Sequence, residues 1–362
     1  HGDVYNGFHH GEGVKKRMFK PNFQYTHEIV NTLMQISSAR ELILNSPLIP
    51  KWEVSLRREA IIHSAHSSTS IEGNRLSLKQ VSDLAHGRKV MATRKDKQEV
   101  INYLNVLEDI EKLTDGKKIK EKDILKIHKM LTGETLENPS DCGVYRNRYV
   151  VVANRLTGDV IFRPPSNEEV PKLVNDLTKW LTSLESKELD PVIEAGIAHY
   201  EFVRIHPFVD GNGRTARVIA ALILYLRGFD TKQFFCLDDF YDSDRQSYYK
   251  ALQSVDQKTL NLTNWLEYFV QGVNISIAVV KERVIRLSSE RLRRTERGQI
   301  ALTERQMRIV EFINQNGKIT NKNMREMFKI SDEGALKEVK KLMKLEVVKS
   351  QGKGSGLRYV LV

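Results

Sequence analysis

The chain has 362 residues and a net charge of +11, with 40% apolar and 28% charged residues. That balance belongs to a globular chain of two or three domains and excludes collagen-like, disordered or membrane-filling ones. The longest notable apolar run, Val218 to Leu226, falls far short of the ~20 residues that cross a bilayer, so neither a transmembrane helix nor a membrane partner is expected.

Cys142 and Cys236 stand alone in the sequence. They make neither a CxxC metal pair nor a disulfide framework, which points to a reducing, cytoplasmic setting. The stretch HGDVYNGFHHGEGVKKR before Met18 lacks the apolar core of a signal peptide. Residues 1–22 are read as a leader or expression remnant, with His9 and His10 in a mobile tail rather than at a metal.

From residue 23 to 110 the pattern is helical. In LRREAIIHSAHSS, Leu56, Ala60, Ile61 and Ala65 recur at helical spacing. EKDILKIHKMLTG is similar and closes on Gly133 as a C-cap. YVVVANRLTGDVIF reads as a hairpin, stopped by Pro164-Pro165. SNEEVPKLVNDLTKWLTSL reads as a helix opened by Ser166 and Glu169. AGIAHYEFVRI is a helix ending near His206, because Pro207 discourages continuation. RTARVIAALILYLRG is a helix starting after Gly213 and ending at Gly228. A long helix is expected from Asn264 to about Arg294, with 271–299 acting as a linking helix.

Residues 300–362 form a separate basic module, with thirteen Lys and Arg against seven Asp and Glu. Helices over Thr303–Asn316, Asn321–Phe328 and Asp332–Leu345 precede two short strands around a glycine-rich tip. Three helices and a β-wing make a winged helix-turn-helix pattern. Lys337, Lys340, Lys341 and Lys344 share one helical face, and Lys353 and Arg358 sit on the wing. Glu333 and Glu338 dilute that stripe, so a DNA duplex and a protein both remain as partners for it.

The segment HPFVDGNGRTAR, residues 206–217, carries the chemistry. Glycine in DGNG permits φ > 0 and close backbone approach. Free N–H groups at a helix N-terminus, with the helix dipole, form an anion site. Arg214 and Arg217 add two guanidinium forks that suit a polyphosphate. Asp210 is an acid placed to hold Mg2+ beside phosphates. His206 has the side chain that serves as a base near neutral pH.

These residues resemble the Fic-family signature HxFx(D/E)GNGRxxR, with every fixed position filled. GVYRNRYV, the hairpin ending FRPPS, His199 in AHYEF, DRQSYYKALQSVD and LTNWLEYF extend the resemblance over roughly Glu59 to Phe269. The resemblance implies a mainly α fold: a Fic-type helical bundle with a β-hairpin flap, its catalytic core spanning 111–270. It also implies a protein adenylyltransferase that moves AMP from ATP to a Ser, Thr or Tyr hydroxyl of a target protein. By that resemblance His206 would deprotonate the hydroxyl and Asp210 would hold Mg2+. Gly211, Asn212 and Gly213 would form the anion hole, with Asn212 on the α-phosphate. Arg214 and Arg217 would contact the phosphates, Arg217 at the γ-phosphate. Tyr248 and Tyr249, with Asp256, would line the nucleotide pocket. The flap of Val160, Ile161, Phe162 and Arg163 would contact the nucleotide and align the target chain. Gly213 in place of the lysine of Doc-type kinases argues against kinase chemistry.

HSSTSIEGNRLS, residues 66–77, resembles the Fic inhibitory motif (S/T)xxxE(G/N). That resemblance implies that Glu72 pairs with Arg217 and denies it to the γ-phosphate, while Ser68 holds its helix in register. Two alternatives remain at this stage: a de-AMPylating hydrolase at the same site, and a nucleotide-sensing DNA-binding regulator. The helices at either end of the chain are candidates for pairing subunits in a homodimer.

Overall fold

The computed structural model describes residues 19–116, 118–153, 160–229, 233–294, 302–345, 347–352 and 354–362. The N-terminal tail, the turn of the first hairpin and Lys353 lie outside them.

The inner helices are those whose sequence is largely apolar on every side, with polar residues such as Glu194, His199 and Arg214 buried among them. α8 (Pro191–Ile205) and α9 (Asn212–Leu226) are buried along most of their length and pack on each other. A helix that is apolar all round belongs in a core. α1 (His27–Asn45), α2 (Pro50–Ile71), α3 (Leu78–Ala85), α4 (Arg94–Glu108), α5 (Glu121–Thr132), α6 (Val170–Leu181) and α7 (Leu184–Glu188) surround that pair. α10 (Asp238–Ser243), α11 (Arg245–Gln253) and the long α12 (Thr263–Arg294) complete the bundle, and α1 lies along α12. β1 (Val152–Ala153) and β2 (Val160–Phe162) form a short antiparallel hairpin on its edge.

α2 buries serine and threonine as well as apolar residues: Ser64, Ser67, Ser68 and Thr69 all face inward. Buried hydroxyls need partners: Thr69 donates to the Ala65 carbonyl of its own helix, and the serines find theirs across the helix interface. Ser64 donates to Cys236 Sγ, and Ser67 donates to Asp239 Oδ1 at 2.6 Å.

A second core is built from α13 (Glu304–Asn316), α14 (Asn321–Phe328), α15 (Asp332–Lys344), β3 (Val348–Gln351) and β4 (Arg358–Leu361), with Val54 of α2 packed into it. β3 and β4 are antiparallel, and Ile319 bridges Tyr359 beside them. Lys337, Lys340, Lys341 and Lys344 line one open concavity with Glu333 and Leu336. Glu338 does not dilute that face: it turns to α13, where Gln306 Nε2 donates to its carboxylate at 2.9 Å.

Two expected boundaries move. The helix expected from Ser166 begins at Val170; Ser166 and Glu169 instead close the turn before it, hydroxyl to carboxylate at 2.9 Å. The helix expected after Gly213 begins at Asn212, for a reason found in the loop described next.

Candidate active site

The loop between α8 and α9 is built by its own sequence. Pro207 ends α8, and His206 adopts the left-handed conformation, φ 50° and ψ 58°. A non-glycine residue there is strained and must be held by its surroundings. Arg146 does the holding. Its Nε donates to the His206 carbonyl at 2.8 Å, its Nη2 donates to the Pro165 carbonyl, and its amide donates to the Pro207 carbonyl. His206 Nδ1 lies 3.2 Å from the Val203 carbonyl. A carbonyl only accepts, so the proton sits on Nδ1 and the lone pair on Nε2. Burial lowers the pKa of this imidazole, which keeps it in the neutral, basic form.

Asn212 closes the loop. Its side chain accepts from the Phe208 amide and donates to the Phe208 carbonyl, both at 2.9 Å. Gly211 caps α9 with φ 79°, and a Cβ there would press on Thr132 Cγ2 at 2.7 Å. That clasp and that glycine complete the turn early enough for α9 to start at Asn212. With its side-chain oxygen and one amide N–H spent on the loop, Asn212 has its main-chain N–H and the second Nδ2 N–H left as donors. The first-turn amides of α9 have no intrahelical acceptor, so they and the helix dipole make a positive N-terminus.

Arg214 is buried, 3.6 Å from Glu99 and 3.7 Å from Asp210. Its Nε and Nη1 have no hydrogen-bond partner among the described residues. A buried guanidinium with unspent donors at a helix N-terminus fits an anion. Asp210 Oδ1 accepts from the Gly211 amide at 2.6 Å, and its side chain is about half exposed beside these cations. No cluster of three or more metal-ligating side chains occurs among the described residues.

Arg217 is committed. Its Nη2 donates to Glu72 Oε1 at 2.8 Å and to the Ser68 carbonyl at 2.9 Å, and its Nε donates to Ser68 Oγ at 2.6 Å. Asp238 Oδ1 is 3.4 Å from the same Nε. Burial alone would raise the Glu72 pKa, but Arg217 and then Arg214 outweigh it and hold the carboxyl below its ordinary value. Gly213 leaves room for this pair, since a Cβ there would overlap Glu72 Oε1. Ser68 therefore grips Arg217 directly, where the resemblance implied that it braces its own helix.

The remaining predicted residues divide. Tyr248 is a core residue: its hydroxyl is 2.9 Å from His199 Nε2, and its ring stacks on Tyr241 at 4.5 Å. It packs against Arg217 from behind rather than facing an open pocket. Tyr249 is 41% exposed. Asp256 is turned to its own loop, accepting from the Lys258 and Thr259 amides, so nothing joins it to the cluster. Val160 and Ile161 of the hairpin are exposed.

Several residues of the cluster carry no sequence signal of their own. His128 stacks on Phe208 at 3.6 Å. The Gly143 amide donates to its Nδ1 at 2.9 Å, so its Nε2 carries the proton and donates to the Asp210 carbonyl at 3.0 Å. Burial lowers its pKa to about 4. Asn74 donates to Glu99 at 2.9 Å, so the segment that carries Glu72 also reaches Arg214. Burial raises the Asp238 pKa to about 6 against the pull of Arg217.

Residues 118–224, which contain this loop and both arginines, match the Fic/DOC family profile. Over these residues the chain carries a match to the Fic/DOC family. The chain is 28% identical over 269 residues to "Protein adenylyltransferase Fic" of Drosophila persimilis, a match covering 67% of this chain and 50% of that one. The Drosophila melanogaster protein of the same name is 28% identical over 226 residues, covering 58% of this chain and 43% of that one. The chain spans about half the length of the curated relatives it matches. Its fold is similar to that of a Fic family protein from Desulfovibrio desulfuricans G20, with a TM-score of 0.63, 24% identity and coverage of 95% and 98% of the two chains. It is also similar to a portion of Fic-1 from C. elegans, with a TM-score of 0.57, 26% identity and 73% of each chain covered.

Proposed function

We propose that this protein is an adenylyltransferase that moves AMP from ATP to a Ser, Thr or Tyr hydroxyl of a target protein, and that Glu72 holds it in check. The single observation that carries this reading is a neutral imidazole with its lone pair on Nε2, next to a helix N-terminus whose Arg214 has unspent donors. His206 Nε2 takes the proton of the target hydroxyl. The hydroxyl oxygen bonds to the α-phosphorus, the bond to the bridging oxygen breaks, and pyrophosphate leaves. The α9 N-terminus and Arg214 stabilise the charge on the phosphates, and the amides of Asn212 and Gly213 supply the anion hole, with Gly211 permitting the close approach while its own amide holds Asp210. Arg217 is the γ-phosphate contact, and its bond to Glu72 withholds it.

Asp210 fits Mg2+ as one carboxylate among phosphate oxygens, the usual way this ion is held. When bound, the ion neutralises phosphate charge. The exposed edge of Val160, Ile161, Phe162 and Arg163 suits strand pairing with the target chain, and the exposure of Tyr249 supports it as the tyrosine that meets a nucleotide. Among the described residues no helix is long and apolar enough to cross a membrane. Both cysteines are free, which supports a reducing, cytoplasmic setting. The C-terminal module acts as a winged helix whose lysine face binds a DNA duplex, and exposed Met34 of α1 and Val279 of α12 support a homodimer.

The test is incubation of a Glu72→Gly variant with α-³²P-ATP and Mg2+, with and without His206→Ala. Label in protein that disappears with His206→Ala supports the reading. Label that persists without His206 removes the assigned base, and no label in either form favours the hydrolase or regulator.

A further inference from the structure

Behind Arg217, between α2, α9 and α10, lies a cavity of about 90 Å³. Of the residues 206–217 only Arg217 touches it; the loop, Gly213 and Glu72 do not. It is therefore distinct from the anion site on the other side of that guanidinium. Ala60, Ile61, Leu107, Ile110, Leu224 and Leu237 belong to a wall that is mostly apolar but also includes Ser64 and Gln233.

Two buried polar atoms of the lining residues, His199 Nδ1 and the Tyr241 hydroxyl, lack a hydrogen-bond partner among the described residues, and Asp238 Oδ1 has no hydrogen bond there beyond its 3.4 Å ion pair with Arg217 Nε. His199 and Tyr241 are almost wholly buried. Buried polar groups in native proteins are paired in the great majority of cases, and two orphans beside an under-satisfied carboxylate around one cavity mark a place where something is bound. Water alone would suit a polar cavity, but this wall is mostly apolar, which favours an occupant with an apolar body.

We infer that this cavity is a binding site for a small neutral molecule with an apolar body and one hydroxyl or carboxamide group. A cation is disfavoured by Arg217 and an anion by Asp238, because neither charge would be repaid in so apolar a wall. The ligand's O–H or N–H donates to Asp238 Oδ1, and its oxygen accepts from Tyr241. At a share of roughly 30 Å³ per liquid water molecule the space equals about three waters, and because bonded atoms pack closer than separate waters the ligand has on the order of five heavy atoms. α2 forms one wall and α9 and α10 the other, so occupancy ties together the helix that carries Ser68 and Glu72 and the helix that carries Arg217. A ligand that touches both stabilises their docked arrangement.

The test uses isobutanol and isobutyramide on the full chain, followed by methyl NMR of the isoleucines and leucines and by crystal structures of soaked protein. Saturable shifts at Ile61, Ile110 and Leu224 are expected, with the ligand oxygen within hydrogen-bond distance of Tyr241 or Asp238. Tyr241→Phe, which keeps the volume and removes the hydroxyl, should weaken binding at least threefold while leaving xenon binding unchanged. Only ordered water in the cavity at 100 mM of either probe overturns the inference. So does binding that Tyr241→Phe leaves unaltered, since the polar recognition would then be absent.

Discussion

Arg217 of α9 is gripped across one turn of α2, by the hydroxyl and carbonyl of Ser68 at one end and the carboxylate of Glu72 at the other. Residues four apart lie one above the other on a helix, so both contacts come from a single face. Removing one end should loosen the grip without ending it. Ser68→Ala is expected to raise self-labelling from α-³²P-ATP several-fold, and to less than the level of Glu72→Gly. Initial rates of label incorporation check this; labelling unchanged from the parent would remove Ser68 from the brake.

Burial is the leading influence on His206 and lowers its pKa. Glu72 acts in the opposite sense, raising it. The base form therefore persists below the ordinary histidine value of about 6.5, and more so when Glu72 is absent. In Glu72→Gly the labelling rate should be nearly flat from pH 8 to about 6.5, with its acid limb lower still. A rate that halves at pH 7 or above would contradict the neutral, buried imidazole.

His128→Ala should cost about 2–4 kcal/mol of stability, because the Phe208 stack is lost and the Asp210 carbonyl and Gly143 amide lose their partner. The loop that carries Asp210 is anchored there, so labelling by the Glu72→Gly background should fall at least tenfold. The pH sign also follows. His128 has a folded pKa of about 4, below its unfolded value near 6.5, so the unfolded chain takes the proton first. Its contribution is complete above pH 6.5 and is lost as pH falls toward 4. Denaturant melts of parent and variant should converge over that window.

Much of the site was legible because its residues are close in sequence. His206, Asp210, the glycines, Arg214 and Arg217 share one loop and one helix turn, where spacing fixes geometry. Helices α5, α8 and α12 were legible from periodicity and from Pro207. What was not legible comes from distant segments. His128, Arg146, Glu99 and Asp238 reach the site through packing, and a buried histidine on an amphipathic helix shows nothing in sequence that separates it from a core residue. Tyr248 and Asp256 show the converse: a motif indicates nearness, but not whether a side chain faces the site, the core or its own turn. Glu338 likewise counts against the lysine stripe in sequence, yet Gln306 draws it to α13.

With Glu338 turned away, Lys337, Lys340, Lys341 and Lys344 present a nearly unopposed positive face. Lys340→Glu with Lys344→Glu should weaken binding to a generic duplex, and the slope of log K against log salt should become shallower by about two. Fluorescence anisotropy between 50 and 200 mM salt reads both quantities. Absence of duplex binding by the parent at the lower salt would leave a protein as the partner of this face.

The grip of Glu72 on Arg217 is tested most directly by comparing parent and Glu72→Gly in the same α-³²P-ATP and Mg2+ reaction. With Arg217 freed, at least tenfold more label in the Glu72→Gly protein is expected, even though loss of a partly buried ion-pair partner should lower its melting temperature. Equal labelling of the two proteins, with both folded, would contradict the brake.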